Sequence, residues 1–245
     1  MSLPPLTFNA WLRYPLIKRF IADAVPPQAS ILEVGMGQGA LGVRLSRRYR
    51  YVGVEMDPVS HNRAAARMAR FGQGHALLGE VSAIPEGSRF DVVCAFEVLE
   101  HIEDDAGALR RWGEFIERGG LLVLSVPAFQ RRFGPADRAA GHFRRYEPNS
   151  IAALLRSTGF TDVVVRTYGV PLGYVLEWAR NVIASRREHS ASLAESTARS
   201  GRHLQPPASA GFITASITAP FRLMQRPFLG SGRGTGLVVA ARRDA

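Results

Sequence analysis

Short apolar runs alternate with stretches of helical periodicity through the first half of this chain. Ile31–Val34, Tyr51–Val54 and Phe90–Phe96 are such runs, and continuous apolar character is typical of strands in a sheet covered on both faces. Between them, segments such as Pro58–Phe71 carry apolar residues at helical spacing. Strands that alternate with helices form βαβ units, and right-handed crossovers then build a doubly wound α/β fold around a mostly parallel sheet.

The same patterns predict the remaining elements. Gly119-Gly120 is expected to end the fourth of the predicted helices, and the partly amphipathic segment Phe212–Leu229 is expected to be interrupted by Pro220 and Pro227. The last strand returns late in the chain, which predicts that it is added at the edge of the same sheet. We expect further helices over Asn9–Val25, Ala40–Arg48, Asp104–Glu117, Pro148–Thr158 and Leu172–Arg187, and further strands over His75–Leu78, Leu121–Val126, Val163–Thr167 and Gly236–Ala241.

Composition excludes two classes of protein. The single cysteine, Cys94, cannot build an internal disulfide framework, so we expect a reducing compartment and a buried core residue rather than a nucleophile. Met1–Phe8 lacks a signal-peptide pattern and no apolar run is long enough to cross a bilayer, which predicts a cytoplasmic protein. The net charge of +10 would suit nucleic acid, an anionic substrate or a membrane surface, and an arginine-rich proteome explains it equally well.

A glycine-rich turn, Glu33–Gly39, lies directly between the first strand and the second helix. Glycine allows positive φ and close approach to a ligand, and the following helix offers unpaired N–H groups. The pattern Gly35-x-Gly37-x-x-Ala40 also satisfies a relaxed dinucleotide fingerprint. Glu55 ends the second strand 20 residues after Gly35, where a carboxylate can accept hydrogen bonds from ribose hydroxyls. A tight turn beside a solvated carboxylate is the alternative, but their joint occurrence favours a nucleoside ligand.

Glu33 distinguishes between two such ligands. A carboxylate just before the first glycine would repel a pyrophosphate, whereas it suits a ligand that carries an ammonium group and a sulfonium. Glu80 follows the third predicted strand, where its carboxylate can accept from an exocyclic adenine amine. These positions favour S-adenosylmethionine over a nicotinamide dinucleotide.

Four segments resemble the successive motifs of class I S-adenosylmethionine-dependent methyltransferases: Glu33–Gly39, Val52–Met56, Gly79-Glu80 and Phe90–Ile102. They are most similar to the small-molecule branch that includes the ubiquinone-biosynthesis O-methyltransferases, and the stretch FDVV…EVLEHI is especially specific. The resemblance covers about Ala10–Thr167, and Gly234–Arg243 resembles the family's final strand. It implies a Rossmann-like, doubly wound, mostly parallel seven-stranded sheet whose last strand is antiparallel, with a helical insertion before that strand.

The resemblance also implies roles for the matching residues. Glu33, Gly35, Gly37 and Gly39 would hold the methionyl part of the cofactor. Glu55 would bind the ribose, Met56 would pack on the adenine, and Phe96 would line the cofactor near the methyl group. Glu80 would meet the adenine amine, although the family more often has Asp at that position. Arg13, with Trp11 and Tyr14, would close over the methionyl end, and simple helix packing is the alternative.

A second resemblance concerns the stretch Gly141–Tyr146, which is similar to a "GHxRRY" stretch in many bacterial relatives. It follows the carboxyl end of a strand, where open α/β sheets bind ligands. Its arginines could clamp a carboxylate or phosphate of the methyl acceptor, or they could be solvated or paired with Asp137 and Glu147. The predicted acceptor-binding residues are His142, Arg144, Arg145 and Tyr146, within a cationic patch that includes Arg131, Arg132 and Arg138.

His101 and His142 are the candidates for a catalytic base, with a structural role as the alternative for each. No metal site is expected, because Glu97, Glu100, His101 and Glu103 would not all face one point on a helix. Methyl transfer mainly requires alignment of the acceptor with the methyl group and exclusion of water.

The sequence therefore predicts transfer of a methyl group from S-adenosylmethionine to a small, anionic acceptor, with oxygen favoured over nitrogen or carbon. An RNA or DNA methyltransferase, an NAD-dependent oxidoreductase and a non-catalytic S-adenosylmethionine-binding module are the alternatives. A membrane-surface or lipid acceptor stays open, as does the oligomeric state. We predict one domain over residues 1–245, with an N-terminal helix (1–27), a cofactor-binding core (28–170), an insertion or lid (171–230) and the final strand (231–245). Ser185–Ala210, rich in Ser, Ala and Arg, is expected to be a flexible part of that lid.

Overall fold

The computed structural model describes residues 3–186 and 211–244, and within them seven strands form a single sheet. Most of the predicted lid loop, from residue 187 to Ala210, lies outside the described residues. The strands are β1 Ser30–Val34, β2 Arg50–Glu55, β3 His75–Leu78, β4 Phe90–Phe96, β5 Ile116–Pro127, β6 Phe160–Tyr168 and β7 Gly236–Arg243. The helices are α1 Phe8–Ala24, α2 Gly42–Ser46, α3 Pro58–Phe71, α4 Asp105–Glu114, α5 Pro135–Ala140, α6 Pro148–Ser157, α7 Leu172–Ser185 and α8 Gly211–Met224.

The strand order is β3-β2-β1-β4-β5-β7-β6, and only β7 runs antiparallel to its neighbours. This confirms the predicted doubly wound sheet with an antiparallel last strand. The expectation that the last strand lies at the sheet edge is wrong. Val239 of β7 pairs with Leu124 of β5 on one side and with Val165 of β6 on the other, so β7 is an interior strand.

The sheet is covered on both faces, as its apolar strands predict. Ile31 belongs to the core beneath α1, α2 and α3, whereas its neighbour Leu32 belongs to the core beneath α4 and α6. Successive strand residues point to opposite faces, so one short apolar run contributes to both cores. Leu12 and Ile17 of α1 and Trp112 of α4 are among the buried side chains that close the two layers.

Several predicted boundaries differ from the observed ones, and packing explains two of the differences. The fourth predicted helix ends at Glu114, not at Gly119-Gly120, because buried Ile116 already pairs with Phe90 at the start of a longer β5. Helix α8 continues through Pro220 instead of breaking there. A proline removes one backbone donor, and α8 tolerates that loss while it packs against α1, where Trp11 donates to Thr214 Oγ1 at 3.3 Å.

Gln225 is one of the side chains that anchor the insertion before β7 to the core. The Gln225 amide donates to the carbonyl oxygen of Leu12 at 2.8 Å and accepts from the backbone N–H of Gly169 at 3.1 Å. In the described part of the chain, no helix is both long and apolar enough to cross a membrane.

Candidate active site

The glycine-rich turn forms where β1 ends. The backbone N–H groups of Gly35 and Met36 both donate to the Val54 carbonyl oxygen at 3.0 Å, which fixes the turn against β2. Gly37 has φ +54°, and a Cβ added there would meet no described atom within 4 Å, so this glycine faces open space. Gly39 has φ +73°, but its added Cβ would lie 3.0 Å from Ala64 Cβ on α3. Gly37 therefore offers backbone to a ligand, whereas Gly39 serves the packing of the turn against α3.

Glu55 holds the turn from the end of β2. One carboxylate oxygen accepts from the backbone N–H of Gly37 at 2.8 Å, and the other accepts from that of Asp57 at 2.9 Å. An ionised carboxylate has about four lone-pair sites, so both oxygens retain capacity for a further donor such as a ribose hydroxyl.

Glu33 lies deeper than its sequence position suggests. Its side chain is only 3% exposed, and the Tyr51 hydroxyl donates to it at 2.7 Å. Burial raises the pKa of this carboxyl to about 7, against the opposing effects of the Tyr51 hydrogen bond and the Arg13 charge. Glu33 therefore changes its protonation state near neutral pH, and a cationic group brought to it would favour the ionised form.

A single cavity of about 1570 Å³ runs along the carboxyl ends of the strands. We call its two parts the glycine end, beside β1, β2 and β3, and the histidine end, which lies beyond β4 beneath α5 and α7. Met56 lines the glycine end with its side chain 65% exposed, as a residue that packs on a flat ligand ring would be. The predicted cofactor residues that line the cavity are Arg13, Glu33, Gly35, Gly37, Glu55, Met56, Glu80 and Phe96.

Arg13 lines this cavity from α1, together with Asn9 and Ala10. Its Nη1 lies 3.5 Å from Glu97 Oε1, which also accepts from Ser125 Oγ at 2.9 Å, and its guanidinium contacts the Tyr168 hydroxyl. Trp11, by contrast, stacks between the guanidinium groups of Arg44 and Arg222, each 5.1 Å from its ring centroid. Trp11 and Tyr14 do not line the cavity, so the predicted closure over the methionyl end is wrong for these two residues.

His101 and His142 come together at the histidine end, with ring centroids 4.6 Å apart and ring planes nearly perpendicular. Burial and the neighbouring His142 lower the pKa of His101 to about 4, so this ring is neutral at neutral pH. His142 Nδ1 lies 2.9 Å from Asp137 Oδ1. Hydrogen bonds from His142 and Arg145 hold the pKa of Asp137 well below its usual range, although burial alone would raise it.

The arginines of the Gly141–Tyr146 stretch have intramolecular partners. Arg145 is buried between Asp137, at 2.7 Å, and Glu177 of α7, at 3.2 Å. Arg144 donates to Asp105 at 2.8 Å, and the Tyr146 hydroxyl donates to the same carboxylate at 3.0 Å. Of the four predicted acceptor-binding residues, only His142 and Arg145 line the cavity, and Arg145 is already engaged by two carboxylates. The structure therefore does not contain the predicted anion clamp at these arginines.

Two residues at the histidine end were missing from the predicted site. Glu100 is 0% exposed, and neither of its carboxylate oxygens has a hydrogen-bond partner in another described residue. Burial, followed by the neighbouring Glu97, raises the pKa of this carboxyl well above its usual value. Arg180 of α7 also lines the cavity, with a buried Nε that lacks a partner in the described part of the chain. Glu100 was predicted to lie on a helix, but it belongs to the short 3-10 turn Leu99–His101 after β4.

This geometry can be compared with known proteins. A family model described as a methyltransferase domain matches residues 8–165. An uncharacterised methyltransferase of Mycobacterium tuberculosis is 35% identical over 107 residues, which are 42% of this chain and 54% of that protein. The ubiquinone biosynthesis O-methyltransferase of Alkalilimnicola ehrlichii is 33% identical over 107 residues, which are 39% of this chain and 40% of that protein. The chain thus spans about half of the length of these relatives, or less.

A solved structure supports the fold. The N-methyltransferase NodS from Bradyrhizobium japonicum, in complex with S-adenosylhomocysteine, superposes with a TM-score of 0.58 at 15% identity, over 95% of this chain and 86% of that one. The seven-stranded sheet with its antiparallel β7 agrees with the fold of this methyltransferase. The chain therefore belongs to the methyltransferase domain family, with the Rossmann-like fold and the S-adenosylmethionine cofactor of that class.

Proposed function

We propose that this protein transfers a methyl group from S-adenosylmethionine to a hydroxyl oxygen of a small anionic acceptor. The observation that carries this proposal is the single cavity of about 1570 Å³ that joins the glycine end to the histidine end. Pockets for one drug-sized ligand have volumes of about 300–1000 Å³, so this cavity has room for a cofactor and an acceptor side by side.

The glycine end fits the cofactor. S-adenosylmethionine supplies, when bound, a methyl group on a positively charged sulfur. Gly37 leaves a space that any side chain would enter, Glu55 presents a carboxylate at the end of β2, and Met56 offers an exposed apolar side chain. Glu33, the buried carboxyl with a pKa raised to about 7, would bind the ammonium group of the methionyl part. These are the roles that the sequence predicted for the same residues.

The histidine end would hold the acceptor. Arg180 places a guanidinium on the cavity wall with a buried Nε that has no partner among the described residues, so an anionic group there would satisfy it. Arg180 replaces Arg144 and Arg145 in this role, since those two side chains are paired with Asp105, Asp137 and Glu177. Phe96 and Arg13 also line this cavity, and we assign them to the place where an acceptor would meet the methyl group.

Oxygen is favoured over nitrogen by the relatives. The ubiquinone biosynthesis O-methyltransferases match this chain at 33–36% identity over about two fifths of its length. NodS is an N-methyltransferase, but at 15% identity it supports the fold alone.

The test is a methyl-transfer assay with matched acceptors. The purified protein and S-adenosylmethionine are incubated with phenols that carry a carboxylate, with their methyl esters, and with the corresponding anilines, and methylated products are measured by mass spectrometry. We expect methylation of the acidic phenols above all. Arg180→Met should raise KM for the acidic phenols about tenfold or more, the loss expected for one charged hydrogen bond, and leave KM for the esters unchanged.

Arg166→Met is the matched control, because Arg166 is an exposed residue of β6 and does not line the cavity. Methylation of anilines alone would overturn the assignment to oxygen. An equal rise of KM for acids and esters in Arg180→Met would overturn the role of Arg180.

A further inference from the structure

Three side chains at the histidine end are arranged as the ligands of one cation. One ligand atom from each of Glu100, His101 and His142 lies within 4.8 Å of the other two. Ligands that each lie about 2.1 Å from one ion are at most about 4.2 Å apart, so small side-chain movements would bring the three ligand atoms to an ion. We propose that Glu100, His101 and His142 bind a divalent transition-metal ion next to the acceptor.

The orphaned carboxylate of Glu100 is the first argument. A buried carboxylate without a partner is costly, and nearly all buried polar groups in proteins have one. Glu100 is fully buried, yet neither oxygen accepts a hydrogen bond from another described residue. A cation at this point would satisfy both oxygens. The charge of Arg13 lowers the pKa of Glu100, but Arg13 does not pair with it: its Nη1 is paired with Glu97, its guanidinium contacts Tyr168, and its buried Nε donates to no described residue.

In each of the two imidazole rings, one nitrogen has a hydrogen-bond partner and the other is left for a metal ion. His142 Nδ1 faces Asp137 at 2.9 Å, and Asp137 in turn is fixed by Arg145, so the ring's Nε2 is left for another partner. His101 Nδ1 is buried without a partner in the described chain, while the same ring is hydrogen-bonded to the backbone of Gly141. Metal-binding histidines usually donate their second nitrogen to a carboxylate or a backbone carbonyl, as both rings do here.

The backbone holds the cluster together. The N–H of Phe143, next to His142, donates to the carbonyl oxygen of Glu100 at 2.8 Å. This bond fixes the turn after β4 against the segment between α5 and α6, although the two are about forty residues apart in sequence. The three ligands are therefore supplied by two segments with a preset spacing.

The ligand types indicate which ion would bind. Two imidazoles and one carboxylate suit Zn²⁺, Fe²⁺ or Co²⁺ and leave open positions for other ligands, whereas Mg²⁺ and Ca²⁺ prefer sites made of oxygen atoms. The cation would hold the acceptor hydroxyl as a Lewis acid and favour loss of its proton. Only this catalytic use rests on the function proposed above; the site itself can be tested without any acceptor.

The experiment is a titration of the metal-stripped full chain with Co²⁺ alone, followed by calorimetry, visible absorption and thermal denaturation. We expect one Co²⁺ per chain, with absorption bands of a nitrogen- and oxygen-ligated ion and a raised Tm. Glu100→Gln and His142→Gln should each weaken binding by about tenfold or more, and Co²⁺ should no longer raise their Tm. His75→Gln is the matched control, because His75 is exposed on β3.

Glu100→Gln also guards against a variant that does not fold. Since this substitution replaces a buried carboxyl, whose ionised form has no partner among the described residues, with a neutral amide of the same shape, the metal-free variant should be as stable as the wild-type protein or more stable. S-adenosylhomocysteine affinity is measured in parallel and should be the same in all variants, which separates failure of this site from failure of the cofactor site. Weak binding that is equal in the wild type and both variants, or a preference for Mg²⁺ over Co²⁺, would overturn the proposal.

Discussion

The Glu55 carboxylate accepts the backbone N–H of Gly37 at 2.8 Å, which joins the end of β2 to the glycine turn at the end of β1. The sequence suggested two separate cofactor contacts at these positions. The structure joins the two positions, because the carboxylate that we expect to bind the ribose also holds the turn by this hydrogen bond. Changes at Glu55 are therefore expected to affect both the turn and the ligand.

Replacement of Glu55 tests this link. Glu55→Gln keeps the side-chain volume but exchanges one acceptor oxygen for a donor, so one of the two backbone N–H contacts is lost. We expect the Kd for S-adenosylhomocysteine to rise about tenfold or more, as for loss of one hydrogen bond to a charged group. Calorimetric titration measures this. Glu117→Gln, at an exposed position at the amino-terminal end of β5, should bind like the wild-type protein.

A side chain at position 37 should be compatible with folding but should prevent ligand binding. Gly37→Arg places a residue at φ +54° at a cost of about 1–2 kcal/mol, and its side chain enters the open cavity. We expect a folded protein that does not bind S-adenosylhomocysteine. Gly87→Arg is a close control, since Gly87 has φ +79°, equally open surroundings and no part in the cavity. Equal loss of binding in both variants would contradict the assigned role of Gly37.

Glu33 should make the stability of the ligand-free protein depend on pH. Its folded-state pKa of about 7 lies above the unfolded value of 4.5, so the protonated folded form is favoured. The resulting stabilisation is fully present below pH 4.5 and is lost as the pH rises to about 7. Between pH 4.5 and 8, the free energy of unfolding should therefore fall by up to about 3 kcal/mol more for the wild-type protein than for Glu33→Gln. Urea unfolding at several pH values measures the difference; parallel curves for the two proteins would contradict it.

The two neighbouring arginines should differ in their contribution to stability. Arg145 is buried with Asp137 and Glu177, so Arg145→Ala removes the buried cation that the two carboxylates share. Among the described residues, Asp137 then keeps only His142 as an ion-pair partner and Glu177 keeps only the partly exposed Arg132, and the change should cost about 3–5 kcal/mol. Arg144 forms a partly exposed pair with Asp105, and Arg144→Ala should cost about 1 kcal/mol or less. Equilibrium unfolding in urea compares the two variants. Similar losses would show that the burial of Arg145 does not matter for stability.

Cys94 should be unreactive in the folded protein. Burial raises the pKa of its thiol well above the usual value, and its side chain has no exposure to solvent. Because the thiolate is the reactive form, a thiol reagent such as DTNB should modify Cys94 only when the protein unfolds. The labelling rate in increasing urea should follow the unfolding curve. Rapid labelling without urea would contradict the buried position in β4.

The sequence predicted those features that depend on local patterns. The strand β4 and the helix α3 were predicted to the residue, because their apolar periodicity is continuous and the flanking residues end it sharply. The position of β7 was predicted wrongly, since an interior antiparallel strand and an edge strand both read as an apolar run. Which strand pairs with β7 depends on its contacts with β5 and β6, and a single sequence does not contain them.

The same distinction between local and long-range features applies to the candidate site. The glycine turn and Glu55 are close in sequence to the strands that present them, so their roles could be inferred. The cluster of Glu100 with His142 depends on a hydrogen bond between Phe143 and Glu100, and on a helix, α5, that the sequence patterns did not indicate. Arg145 pairs with Glu177 of a distant helix, α7. The sequence does not show this pairing, and Arg145 was therefore predicted to bind a ligand.

The interior position of β7 has a consequence for the order of assembly during synthesis. Strand β6 pairs with β7 alone. Residues 160–168 therefore have no neighbouring strand to pair with until residues 236–243 have left the ribosome. Until then β5 presents an unpaired edge, which is the kind of surface that invites pairing with another chain. Strands β1 to β5 can associate earlier, and the part of the sheet beside the histidine end is completed last.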